Sequence, residues 1–498
     1  MLTKVNTIAH FGLTSYHIEV ETDIYNGLPA FIVVGLANKA VDEAKERVRS
    51  ALKNANLHLP PRRITVNLAP ADLPKNGSGF DLAIAVSLLA SSGQIKHISP
   101  ASAFYGELAL DGSTRTVNGA LATAQAAKMS GLSELYIAAE IAEQAALVKD
   151  ITIYPVKDIG QLYQHLIGEK AIIPLRHKGI SGKIHESEVD MSNIYGQAQA
   201  KRAVEIAASG NHNILLSGPP GSGKTLLAKA LAGILPAPSY EEMLEITSIH
   251  SLAGVQTDNI ITARPFRSPH HTASNIALIG GGQSPKPGEI SLAHRGLLFL
   301  DELPEFPRHV LEVLRQPLEE GQVTVARASA SYKFPARFLM VAAQNPCPCG
   351  FSGDSSTACT CSLAQINRYQ TKVSGPLLDR IDLVVPVQKL KNDELLAGVA
   401  GEPSRSVRGR VEKARQIQIS RFQDEPFSSN NEMTNKHIKQ YCSLDSDVEL
   451  LARQALNNMN LTARAYIRVL KVSRTIADMN DSEQIKSEHF SEALQYRV

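Results

Sequence analysis

The 498-residue chain has no tryptophan, and aromatic residues make up 5% of it. It therefore offers no series of stacking platforms for nucleic-acid bases. An excess of one charge is missing as well: 51 Lys and Arg against 49 Asp and Glu leave a net +2. No global field calls for a polyanion, so any polyanion site has to be local. No apolar run reaches membrane-spanning length, and the richest, 82–90, is too short. No basic-plus-apolar signal opens the chain, so the expectation is a cytoplasmic protein with no membrane partner. Internal repeats and low-complexity tracts are absent. Cysteine is scarce, at five residues, but four of the five lie close together.

What is present starts with GPPGSGKT at 218–225, preceded by the apolar run Ile214-Leu215-Leu216 and followed by a helix expected over 226–234. A buried strand, a glycine-rich turn and a helix form the context of a phosphate-binding loop. Gly218, Pro219, Pro220, Gly221, Ser222 and Gly223 turn backbone N–H groups inward. Lys224 reaches the β- and γ-phosphates, and Thr225 offers its hydroxyl to Mg²⁺. The expected ligand is a nucleoside triphosphate, ATP with Mg²⁺.

Further on, Leu297-Leu298-Phe299-Leu300 leads into Asp301-Glu302. A buried parallel strand ending in two carboxylates places them where open α/β sheets bind ligands. Asp301 is expected to hold Mg²⁺, and Glu302 to polarise the attacking water. The next strand, 338–343, ends in Gln344-Asn345-Pro346, and Asn345 is the candidate sensor of the γ-phosphate; an Asn before Pro is otherwise a turn former. Arg380 precedes the strand 383–387, and Arg464 stands in the first turn of a helix expected over 463–479. A guanidinium can neutralise the transferring phosphoryl group, one from a neighbouring subunit and one from the same chain's lid. Surface ion pairs remain the alternative for both.

Cys347, Cys349, Cys359 and Cys361 fall directly after the sensor. Four clustered thiols in a cytosolic chain suit a metal, zinc first, or a redox role; two C-x-C pairs are a less standard zinc spacing than C-x₂-C. Cys442 stands apart as a packed thiol. Two insertions carry basic residues: 239–289, with Arg264, Arg267, His270 and His271, and a hairpin at 322–337, with Arg327, Lys333 and Arg337. Such charges can track a nucleic-acid backbone by phosphate contacts, or simply be solvated. Adjacent histidines are expected to point apart, which argues against a metal at 270–271.

Length and 43% apolar content allow about three domains. The expected divisions are 1–167, a polar linker at 168–190, an ATPase core at 191–388 and a helical lid at 389–498. Within the first, strands are expected at 31–34 and 64–66, and a helix at 41–54 with Val41, Ala44, Val48, Ala51 and Leu52 on one face.

Together these motifs resemble the AAA+ ATPases and, more narrowly, the magnesium-chelatase-like ComM/YifB family. The supporting stretches are FRSPHHTAS at 266–274, PGEISLAH at 287–294, LPEF at 303–306 and RITVNLAPADLP at 63–74. The resemblance runs nearly end to end. It implies an α/β fold: an AAA+ P-loop parallel-sheet core with a helical lid, preceded by an α+β Lon-protease-like (S5 domain 2-like) domain. It makes Arg380 a trans-acting arginine finger and Arg464 the lid's sensor arginine. In the Lon-like match Gly79 stands at the nucleophile's position and Leu121 at the lysine's, so the Ser–Lys dyad is missing. The family implies a homohexameric helicase acting on single-stranded or branched DNA, promoting branch migration in natural transformation and homologous recombination. Two rivals stay open: the motor subunit of a metal-chelatase complex, although no DxSxS metal motif occurs here, and an ATP-dependent protease or unfoldase.

Overall fold

The computed structural model describes residues 2–497 apart from 12–13, 36–38, 72, 74, 76, 178, 185–186, 256–259, 283–284, 327–330, 355–356 and 390–400. Arg327, and Asp72 and Pro74 of the early signature, thus lie outside the described residues. Contacts divide the chain into two units. One comprises Met1–Ser181, Met243–Ile261 and Ala326–Phe334; the other comprises Gly182–Glu242, Thr262–Val325 and Pro335–Val498. The expected linker is shared between them. Leu175 forms a bridge with Ile153 in the first unit, and the Ser187 hydroxyl donates to the Lys229 carbonyl in the second at 2.8 Å.

The first unit is an α+β domain built on a seven-stranded sheet in the order Ala30–Val34, Arg63–Ala69, Thr14–Tyr25, Thr3–Phe11, Ser102–Tyr105, Glu134–Ala138, Thr152–Val156. Thr14–Tyr25 pairs antiparallel with both neighbours, and the other pairings are parallel. Its alternation explains the orientation: Ile18, Val20, Thr22 and Ile24 are buried, while Glu19, Glu21 and Asp23 on the other face are half-buried. The apolar run near 82–90 becomes the helix Asp81–Ser91, buried along nearly its whole length against the Thr3–Phe11 and Thr14–Tyr25 hairpin. A helix apolar all round belongs inside a core. The helix Lys39–Asn54 buries Ala44, Val48, Ala51 and Leu52 as their spacing predicts.

The second unit holds a five-stranded sheet in the order Phe266–Arg267, Leu297–Leu300, Leu339–Gln344, Ile214–Ser217, Leu383–Pro386, parallel throughout. The central strands are apolar on both faces because helices cover them. Leu300 stands opposite Ala342, and Ser217 opposite Gln344. The residues that follow these strands therefore emerge side by side at one edge. The helix after the phosphate loop runs Lys224–Ile234. The C-terminal part is helical: Ser404–Arg421, Asn435–Tyr441, Ser446–Asn458, Ala463–Met479 and Ser487–Gln495. It shares one apolar cluster with the sheet, in which Val411, Val469, Leu470 and Ile476 join Leu216, Val341 and Val385. Among the described residues no helix is long and apolar enough to cross a membrane.

Candidate nucleotide site and cysteine knuckle

The carboxyl edge of the parallel sheet assembles the groups singled out in the sequence. Gly218 opens the loop where a side chain has no room: a Cβ there would lie 2.0 Å from the Val387 carbonyl oxygen. Gly223 takes φ +91° to turn the chain into the helix. The helix N-terminus then presents its unpaired N–H groups to an anion. Inside the loop the Ser222 hydroxyl is buried without a hydrogen-bond partner among the described residues.

Lys224 is buried, and Nζ donates to the carbonyls of Gly218 (2.6 Å) and Pro219 (2.9 Å) and to Asn345 Oδ1 (3.3 Å). Burial pulls its pKa below the usual lysine value, and the Asp301 charge opposes that shift. The Thr225 hydroxyl donates to Asp301 Oδ2 at 3.0 Å. A hydroxyl and a carboxylate converging at the end of a phosphate loop are hard oxygen donors, which fit Mg²⁺. Glu302 follows in the left-handed region, φ 53°, and its N–H donates to Asp301 Oδ1 at 2.9 Å. Such backbone costs ~1–3 kcal/mol and gathers at functional sites. Its side chain is about half exposed and meets His271 Nδ1 at 3.4 Å from Oε2.

The two arginines are placed differently. Arg464 is exposed in the first turn of Ala463–Met479. Arg380 is buried, donates to the Pro376 carbonyl and pairs with Glu319, while its Nε has no partner among the described residues. The Glu319 carboxyl lies below its usual pKa range chiefly through Arg380, with Arg464 adding to the effect. Both arginines therefore act on one carboxylate that the sequence reading did not single out. That reading also missed Arg468, one turn beyond Arg464, which donates to the Arg380 carbonyl at 3.2 Å and pairs with Asp382. The i, i+4 spacing of 464 and 468 was the available signal. Gln197, whose amide reaches the Ser222 carbonyl at 3.4 Å, had none.

Cys347, Cys349 and Cys359 have Sγ atoms 3.4, 3.7 and 3.6 Å apart, and all four thiols including Cys361 lie within 4.8 Å of one another. A tetrahedral zinc site with Zn–S bonds of ~2.3 Å has S···S edges of about 3.8 Å. The backbone N–H groups of Phe351 and Thr360 push the Cys349 thiol down to about 5. The N–H of Ser352 donates to Cys347 Sγ at 3.3 Å and that of Cys361 to Cys359 Sγ at 3.4 Å. The donor set can hold a soft metal ion.

The basic insertions differ from expectation. Arg267 forms a two-pronged pair with Glu289, both contacts 2.6 Å. Arg264 is shared by Glu242 and the carbonyls of Pro236 and Arg295. Arg337 donates to the Pro426 carbonyl. Lys333, on the strand Ser331–Pro335 of the expected hairpin, is exposed. The imidazoles of His270 and His271 do not diverge: their centroids are 4.1 Å apart. The loop bends after the edge strand, so the alternation of an extended chain does not apply there.

In the first unit a Cβ on Gly79 would lie 2.4 Å from the Tyr105 ring, so the aromatic ring fills the space a nucleophile's side chain needs. Ser78 donates to the Glu107 carboxylate, and Leu121 is packed in the core.

Comparisons with known proteins match three separate stretches of the chain. The family described as "Magnesium chelatase, subunit ChlI" matches residues 190–395, "Subunit ChlI of Mg-chelatase" matches 20–141, and "Magnesium chelatase, subunit ChlI C-terminal" matches 401–497. The competence protein ComM of Haemophilus influenzae is 45% identical over 509 residues, covering all of this chain and 97% of that protein. YifB of Escherichia coli is 42% identical over 501 residues, with 100% and 97% covered. The magnesium-chelatase 38 kDa subunit of Cereibacter sphaeroides is 28% identical over 181 residues, 31% of this chain and 52% of that one.

Proposed function

We propose that this chain, which belongs to the magnesium-chelatase-like AAA+ family of ComM and YifB, is an ATP-driven DNA motor that works as a homohexamer. The family implies ATPase activity with ATP and Mg²⁺. The observation that carries the catalytic part is the convergence of Lys224, Thr225, Asp301, Glu302 and Asn345 at one sheet edge. Lys224 exchanges its carbonyl partners for the β- and γ-phosphate oxygens. Thr225 and Asp301 would hold Mg²⁺, which when bound neutralises charge on those oxygens. Glu302 accepts the proton of the water that attacks the γ-phosphorus as the bond to the ADP oxygen breaks. Asn345 orients that water. Arg464 serves the chain's own site; Arg380 serves a neighbour's, which requires its pair with Glu319 to open. The four cysteines hold zinc.

The DNA part is supported by the full-length likeness to a protein named for competence, and by exposed Lys333 on its hairpin. The pairing of Arg264, Arg267 and Arg337 leaves fewer cations for phosphate contacts, so salt dependence is expected to be shallow. The partial match to a magnesium-chelatase subunit favours one rival, a chelatase motor. Purified protein with ATP is to be given a four-way DNA junction, a metal-free porphyrin with Mg²⁺, or casein. ATP-dependent resolution of the junction alone supports the proposal; metal insertion or proteolysis without it rejects the proposal.

A further inference from the structure

The cysteine knuckle begins two residues after Asn345, whose Oδ1 accepts from Lys224. Within it Gly350 adopts φ +88°, closed by its N–H donating to the Cys347 carbonyl at 3.0 Å. Gly350 packs against the phosphate loop: a Cβ there would stand 2.5 Å from Cδ and 2.7 Å from Cγ of Pro220. The other end is tied by the Gln370 amide, which donates to the Pro346 carbonyl at 3.3 Å. Cys347 is wholly buried at the base, while Cys349, Cys359 and Cys361 are half-buried. None of the four is in a disulfide. Among its described residues the knuckle has little apolar core, Cys347 and Gly350 being its buried members. A short segment of this kind needs a cross-link to offset its ordering entropy, and four thiols at metal-ligand spacing supply one.

We infer that the metal-bound knuckle is a buttress for the phosphate loop, so that metal occupancy sets nucleotide affinity. This rests on the reading that the four cysteines hold zinc. A phosphate loop binds tightly when its N–H groups already converge before the ligand arrives. Gly350 pressed against the Pro220 ring limits how far residues 219–220 can swing outward, and the same segment carries the partner of Lys224. With the thiols no longer joined, the knuckle loosens, and the loop must be ordered anew at each binding event. The coupling runs through packing, so it requires neither a metal contact with nucleotide nor a change in the Mg²⁺ ligands.

The test uses the full chain, with zinc counted by mass spectrometry and affinity read by equilibrium binding of a fluorescent ATP analogue in excess Mg²⁺. Far-UV circular dichroism monitors the fold. Zinc is removed with a thiol reagent and chelator, then restored under reductant. Stripped protein that keeps its dichroism is expected to bind at least about ten-fold more weakly, and to recover with zinc. Gly350→Ala retains the thiols and the zinc but forces the knuckle off Pro220. It is expected to show a similar loss that zinc does not repair. Folded, stripped protein with parental affinity overturns the inference alone. If stripping unfolds the chain, Gly350→Ala decides, and parental affinity there overturns it. Protein that never carries zinc overturns both the zinc reading and the buttress.

Discussion

The two ends of the parallel sheet are built to opposite rules. At the carboxyl end the strands release Lys224, Asp301, Glu302 and Asn345 into a shared edge, where Glu302 is half exposed and its backbone strained. At the amino end the same strands begin from a buried polar lattice. Asn213, just before Ile214–Ser217, donates its N–H to Asp382 at 2.9 Å and its amide to the Arg380 carbonyl at 3.1 Å, and accepts from the Met340 N–H at 3.0 Å. Asp382 pairs with Arg468, and His212 meets the Thr475 hydroxyl at 2.7 Å. Burial would raise the Asp382 carboxyl; Arg468 and His212 hold it well below the usual range. One end ties three strands together through Asn213 and fixes their register. The other keeps its groups available for a ligand. Stability and chemistry are thus separated along about four residues of strand.

Substitutions at the two ends should therefore fail differently. The largest effect belongs to Lys224→Ala, expected to lower nucleotide affinity more than about 100-fold in an equilibrium titration, since the loop loses the cation expected to reach the phosphates. Its unfolding midpoint in urea should stay near the parent's. Glu302→Gln should keep nucleotide binding and lower kcat by about 100- to 1,000-fold, in line with removal of a general base. Size-exclusion chromatography should show it held as an ATP-bound oligomer.

At the other end the readouts invert. Asp382→Asn leaves the Arg468 charge without its buried partner and is expected to cost about 3 kcal/mol in urea unfolding, with nucleotide affinity in the absence of denaturant little changed. If it instead abolished binding and left stability intact, the division between the ends would be lost. Lys471, which donates to the Asn431 carbonyl, is pushed down to about 8 by burial. The unfolded chain holds that proton up to ~10.4. Stability of this unit should accordingly rise between pH 8 and 10, by about 3 kcal/mol at most, and Lys471→Met should flatten the slope. The smallest change is expected from His271→Ala. Loss of a neighbour that fixes the Glu302 carboxylate should lower kcat by well under the ~100-fold of a full misplacement, with KM unchanged.

The carboxyl end was legible because its signals are local: GPPGSGKT, the pair 301–302 and Asn345 each sit at the tip of one apolar run. The thiol cluster was legible for the same reason, four residues within fifteen. The amino end was not, since Asn213 and Asp382 are far apart in sequence and of ordinary type. Gly350 against Pro220 is another contact that only tertiary structure supplies. Charge was the least informative signal: Arg264 and Arg267 read as free cations, and carboxylates some twenty residues away claim both. Likewise the match at Gly79 indicated a missing side chain, but not that the Tyr105 ring would fill its place. Arg380 was legible as a position and not as a state, because nothing near it in sequence marks Glu319 as its partner.

The proposed motor couples ATP cleavage at this sheet edge, catalysed through Glu302, to work on DNA. Steady-state phosphate release by the parent chain and Glu302→Gln, each with and without a four-way junction, tests that coupling most directly. Hydrolysis by the parent is expected to rise with the junction, and release by Glu302→Gln to stay near background under both conditions. Equal rates for the two proteins, or a parental rate indifferent to DNA at low salt, would contradict it.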